Sequence, residues 1–185
     1  MLRLLAERLG VRAIARATVG PGPGSKGSST PCIGRTPHTT PDRPKKSAPV
    51  VIEADELWSS VGSKADVRWV WVALDADTRR VLAMVVGDRS VATAKRLWDA
   101  LPPGYRTGVT VLTDFLASYH VVIPASKHRS VGKDSGLTAH IERFWLTLRQ
   151  RCARFVRKTL TFSKCPRNHL GALWYFIRLY NLCHQ

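Results

Sequence analysis

Acidic residues are scarce in this sequence. Thirteen Asp and Glu stand against 29 Lys and Arg, which leaves a formal charge of +16 and a pI near 10.6. A field of that size draws polyanions and makes their binding salt-sensitive. DNA or RNA is therefore the first partner to expect and an anionic membrane surface the second. Long apolar runs are also missing: the longest, "WVWVAL", is far shorter than the roughly 20 residues a membrane span needs. Membrane insertion is not expected. Cysteine is sparse, and Cys32, Cys152, Cys165 and Cys183 form no C-x-x-C pair. Neither a zinc module nor a disulfide framework is signalled, and a reduced, cytoplasmic protein is the plain expectation. The first residues include Arg3 and Glu7 but no apolar segment, so they do not read as a secretory signal.

What is present is enough for a core. The 185 residues are 44% hydrophobic and include six Trp, within the size range of one folded domain plus some extra. Residues 2–17 place Leu4, Leu5 and Leu9, then Val11, Ile14 and Ala15, at helical spacing around Gly10. They resemble the opening of a helix-turn-helix whose recognition helix should follow. Instead, residues 20–49 are dominated by Gly, Pro, Ser and Thr, a composition that cannot pack a core and reads as a basic flexible linker. The expected organisation is a helix-turn-helix fragment over 1–19, a linker over 20–49 and one ordered domain over 50–185.

Within that domain "VVIEADELW", "RWVWVALD" and "RRVLAMVVGD" read as three strands, the last two joined by a turn at "DADT". Ser90 caps a helix over "SVATAKRLWDAL", and "PPG" stops it. "VTVLTDF" is a short apolar strand ending at Asp114, "LASYHVV" is helical, "KHRSV" is extended, and a long last helix opens near Thr138. The order β-β-β-α-β-α-β-α predicts an α/β fold with a mixed five-stranded sheet and helices packed on it. Trp69, Trp71, Trp98 and Trp174 are expected in the core.

Acids fall at the ends of these elements: Asp55 on the first strand, Asp114 on the fourth, Glu142 in the first turn of the last helix. On that helix Ile141, Phe144, Trp145, Leu148, Cys152, Phe155 and Val156 form one apolar stripe. At about 100° per residue Glu142 and Arg149 share one flank of it, while Arg143, Arg154 and Arg157 point outward. If the first and fourth strands are neighbours, Asp55 and Asp114 meet side by side and the helix adds Glu142. Carboxylates converging in this way require a divalent cation. Taken singly, each is more often an ordinary surface acid, and spacing cannot choose Asp55 over Glu53 or Glu56. Asp75, Asp77 and Asp88 read as turn residues. The cations around Glu142 (Arg143, Arg151, Arg154, Arg157 and Lys158) are candidate phosphate contacts, to be weighed against simple solvation. His140 is a candidate DNA contact, weighed against a satisfied surface histidine.

The stretches "EADELWSSVGSK", "RWVWVALD", "LTDF" with Tyr119, "HIERFWLTLRQR" and "HLGALWYFIRLYN", in this order, resemble transposases of the insertion sequence 1 family over residues 51–181. The resemblance implies a ribonuclease-H-like fold with a DDE-type site. It selects Asp55 over its neighbours as the first catalytic Asp, Asp114 as the second, Glu142 as the helical acid and Arg149 as a basic residue that positions phosphate. It also implies Mg²⁺, replaceable by Mn²⁺, held by Asp55, Asp114 and Glu142. Double-stranded DNA is the implied substrate, cleaved and joined by a homo-oligomer in the cytoplasm. Alternatives are a ribonuclease-H-fold nuclease and a non-catalytic basic DNA-binding remnant, the latter favoured by the incomplete helix-turn-helix. Members similar to this chain carry Asn where it has Trp145, which is expected either to pack harmlessly in the stripe or to crowd the site.

Overall fold

The computed structural model describes residues 50–156 and 162–184. The helix-turn-helix fragment and linker expected before residue 50, and Arg157 and Lys158, lie outside the described residues. Five strands form one sheet: β1 (Val50–Val61), β2 (Ser63–Asp75), β3 (Val81–Gly87), β4 (Val109–Thr113) and β5 (His128–Ser130). The helices are α1 (Val91–Ala100), α2 (Ala117–Val122), α3 (Ala139–Arg151) and α4 (Pro166–Leu182). The strand order is β3-β2-β1-β4-β5. The first three strands form an antiparallel meander, and β4 and β5 add in parallel on the other side of β1. This is the expected mixed α/β sheet of a ribonuclease-H-like fold, with the first and fourth strands as neighbours.

Local chemistry accounts for several boundaries. Asp75 ends β2 and its Oδ1 accepts from the N–H groups of Asp77 (2.9 Å) and Thr78 (3.3 Å), the side-chain mimic of a turn that Asp makes readily. Ser90 caps α1 by accepting the Thr93 N–H at 3.3 Å. Strand alternation divides the core in two. Ile52, Ala54, Trp71, Ala73 and Val85 pack with Leu97 and Ala94 of α1 and Tyr119 of α2. Leu57, Val70, Val72, Leu74 and Met84 pack on the opposite face with Ile141, Phe144 and Leu148 of α3 and Leu173, Phe176 and Ile177 of α4. Of the four expected core tryptophans Trp71 is fully buried, and Trp69, Trp98 and Trp174 pack at the margins.

Two expectations need correction. The stripe through Cys152, Phe155 and Val156 predicted a helix running beyond residue 151, but α3 ends at Arg151 and Cys152 turns extended. Phe155 instead packs on His169, with ring centroids 4.8 Å apart. Burial against the next helix overrides the local period. The chain then adds α4, so the helix bearing Glu142 is not the last one.

α4 is fastened by two buried polar residues. Asn181 accepts from the Val81 N–H and donates to the Val81 carbonyl, each at 2.9 Å, and so satisfies both backbone groups of the first residue of β3. His169 lies between Ser59 (3.3 Å) and Ser163 (3.0 Å). Burial, with Arg154 and Arg68 nearby, pushes its imidazole down to about 4. An unfolded chain takes up this proton near pH 6.5, so stability held above that pH is lost as pH falls toward 4, by on the order of 3 kcal/mol. Thermal melts across this window should show the loss in the parent and a flatter profile in His169→Gln. Asn181→Ala strands two buried backbone groups and should lower unfolding free energy by about 1–3 kcal/mol in a denaturant titration.

Candidate active site

β1 and β4 run parallel, but β1 continues to Val61, so Asp55, expected at the end of the first strand, stands inside it. The last residues paired between the two strands are Glu53 and Leu112. Two residues further along each chain stand Asp55, on the part of β1 that continues against β2, and Asp114, immediately after the end of β4. Oδ1 of Asp114 accepts the Leu116 N–H at 3.0 Å, which orients the carboxylate and opens α2. Oδ2 of Asp55 accepts the Trp145 indole N–H at 2.9 Å.

Glu142 arrives from α3, and Glu53 sets its place. The Glu53 side chain is buried, with Oε2 accepting the Ile141 N–H at 2.8 Å and Oε1 lying 2.7 Å from His140 Nδ1. Thr138 makes no side-chain cap, so a carboxylate from the neighbouring strand occupies the amino end of the helix, where the dipole favours negative charge. The result is a cavity of about 30 Å³ lined by Ala54, Asp55, Asp114, Val131, Thr138 and Glu142. Three carboxylates distant in sequence therefore line one cavity. Arg149 is half-buried two turns along α3 and does not line it.

A fourth acid joins them. Single ligand atoms of Asp55, Glu56 and Asp114 all lie within 4.8 Å of one another. Glu56 reaches the cluster from the α1–α2 face of β1. There Arg89 binds its Oε1 at 2.5 Å and the Tyr119 hydroxyl donates to its Oε2 at 3.2 Å, while the Arg89 guanidinium stacks on Trp69, 4.6 Å from the ring centroid. Burial and then the charge of Asp114 push the Glu56 carboxyl up to about 7, against the opposing pull of Arg89. Burial and the negative charge of Glu56 likewise hold the Tyr119 hydroxyl well above its ordinary range. The family resemblance set Glu56 aside. The available signal was its adjacency to Asp55 at a strand crossing, which does not reveal that both reach one point.

The basic residues are dispersed. Arg143 and Arg151 are exposed on α3, whereas Arg154, expected to project from a continuous helix, is half-buried in the tight turn after it. His140 is engaged with Glu53 and remains partly open to solvent.

Glu56 yields a stability prediction with a definite sign. Its folded-state pKa lies above the ordinary 4.5, so the stabilisation it gives is complete below 4.5 and disappears as pH rises through about 7. In the metal-free protein Glu56→Gln should remove that slope, and its melting temperature should exceed the parent's at pH 8.

Comparison with known proteins places these features in a family. The family model described as IS1 transposase matches residues 48–181. Among individual relatives, the insertion element iso-IS1n protein InsB of Shigella dysenteriae is 39% identical over 128 residues, covering 69% of this chain and 94% of that protein. The insertion element IS1 4 protein InsB of Escherichia coli K12 is 33% identical over 145 residues, covering 77% and 84% respectively. With the matched segment spanning the sheet, the acidic cavity and all but the last residue of the helices described above, this chain belongs to the IS1 transposase family.

Proposed function

We propose that the domain is the catalytic unit of a DDE transposase, which cleaves phosphodiester bonds at the ends of an insertion element and joins the freed 3′-hydroxyl to target DNA. The observation that carries this reading is the cavity at the carboxyl end of β4, where β1 runs on past it, lined by Asp55, Asp114 and Glu142. Ligands of open α/β sheets bind at that end of the strands.

The donor set suits Mg²⁺, or Mn²⁺ in its place. It consists of hard carboxylate oxygens around a cavity with room for a water-sized guest. Ligand atoms of Asp55, Glu56 and Asp114 within 4.8 Å of one another are near enough for carboxylate rotation to turn them toward a shared cation. Burial first, and then the charge of Asp114, raise the Glu56 carboxyl, and a cation beside it would pull it back down.

Asp55, Asp114 and Glu142 would hold the metal, with Glu56 at its margin. Bound there, Mg²⁺ supplies Lewis-acid activation of water or a 3′-hydroxyl and stabilisation of the leaving oxygen. Leu116 and Trp145 keep the two Asp carboxylates oriented, and the Glu53 anchor keeps Glu142 facing them. Arg149, on the flank of α3 that carries Glu142, would engage phosphate further along the strand. Arg143 and Arg151 on the same helix, with Arg154, would add sequence-independent phosphate contacts. The partner is double-stranded DNA, with the protein acting on paired ends as a homo-oligomer within the cytoplasm. No helix among the described residues is long and apolar enough to cross a membrane.

Asp55→Asn, Asp114→Asn and Glu142→Gln should each reduce Mg²⁺-dependent strand cleavage by at least about a hundredfold, with melting temperature within a few degrees of the parent. Arg149→Ala should weaken strand joining more than metal binding. Cleavage without joined products would point to a nuclease. Salt-sensitive DNA binding indifferent to all three carboxylates, with no cleavage, would leave a binding remnant.

A further inference from the structure

Trp145 packs in the apolar stripe of α3, one of the two outcomes expected of it, and also reaches the site. It is buried, packed edge-on against Phe144 with ring centroids 5.0 Å apart, and its indole N–H donates to Asp55 Oδ2 at 2.9 Å. We propose that Trp145 is a positioning residue for the metal site: its indole holds the Asp55 carboxylate in the rotation that faces Asp114 and Glu142. This rests on the reading of Asp55, Asp114 and Glu142 as metal ligands.

Three features of the geometry support it. Asp55 sits where β1 has parted from β4, beyond the last paired residues Glu53 and Leu112, so the parallel pairing no longer constrains its side chain from that side. Trp is well suited to constrain it instead. It has two side-chain torsions and a planar ring that the core immobilises, and its single donor has one direction. A buried indole N–H also demands a partner, so the carboxylate cannot turn away without leaving that donor unmet.

The second feature is the shared helix. Trp145 and Glu142 are three residues apart on α3, about one turn, so both side chains spring from one helical turn. The third is that the same helix is tied to the same strand at a second point, where Glu53 binds His140 and the Ile141 N–H. Together these contacts fix α3 against β1 both along and around the helix axis. Asp55 and Glu142 are thereby held in a constant relation before any cation arrives. An Asn at this position would offer a donor on a much shorter arm.

The test uses the full chain with Mn²⁺ and Mg²⁺ alone, without DNA. Calorimetric titration with Mn²⁺ compares the parent, Asp55→Asn and Trp145→Phe, the last keeping an apolar ring but losing the N–H. Loss of an orienting partner of a ligand should weaken Mn²⁺ affinity by about tenfold to a hundredfold. In ¹H–¹⁵N spectra the Trp145 indole signal, the one absent from Trp145→Phe, should shift in Asp55→Asn and move with Mg²⁺ as the site fills. A purely structural Trp would not move in this way. Equal Mn²⁺ affinity in the parent and Trp145→Phe would overturn the positioning role while leaving the metal site intact. Absence of any Asp55-dependent Mn²⁺ binding in the parent would overturn the metal reading and the positioning role together. Should Trp145→Phe fail to fold, the indole signal most broadened by Mn²⁺ in the parent decides. If every indole signal stays in place while Asp55-dependent binding saturates with Mg²⁺, the proposal fails.

Discussion

The buried carboxylate of Glu53 is the constraint on which the site depends. An acid this deep is costly unless its oxygens are met, and both are met by the first turn of α3, through the Ile141 N–H and His140. The helix has no local cap of its own at Thr138, so strand and helix satisfy each other. One residue beyond Ile141 stands Glu142. Its presence at the cavity follows from the anchoring of its neighbours, since no hydrogen bond of its own side chain is needed to bring it there. The tryptophan one turn later adds the second fastening.

Electrostatically the domain opposes its own average. A chain with an excess of 16 positive charges gathers four carboxylates (Asp55, Glu56, Asp114 and Glu142) where β4 ends beside β1. Two surroundings keep this tolerable. On the α1–α2 face Arg89 and Tyr119 clamp Glu56, and Arg89 is itself braced on Trp69. On the α3 face the indole and the anchored helix bound the cavity. A basic exterior around an acidic centre suits a polyanion that must be held over its length and attacked at one phosphate.

Much of the fold was legible because it rests on local rules. The Ser90 cap, the Asp75 turn and the apolar strands of the meander all depend on residues within a few positions of one another. The end of α3 was not legible. Phe155 continues the helical stripe in sequence but leaves it in space to meet His169, fourteen residues on. A periodicity argument contains no information about that partner. The anchoring of α4 through Asn181 was hidden for the same reason, since Val81 is 100 residues away.

The sequence alone determined that the chain would carry a basic α/β domain of this family, with Asp114 just after the fourth strand and Glu142 in the first turn of a helix. Asp55 proved to lie inside the first strand and not at its end. Alternation and spacing report which way a backbone runs and which face is apolar, and those are properties of neighbours. Only the tertiary structure decided that Glu53 is an anchor, that Glu56 enters the cluster from the opposite face, and that Trp145 binds the first Asp. Glu53 and Asp55 meet their α3 partners across separations of 87 to 90 residues. Such contacts are decided by which polar groups remain to be satisfied once helix and sheet have packed.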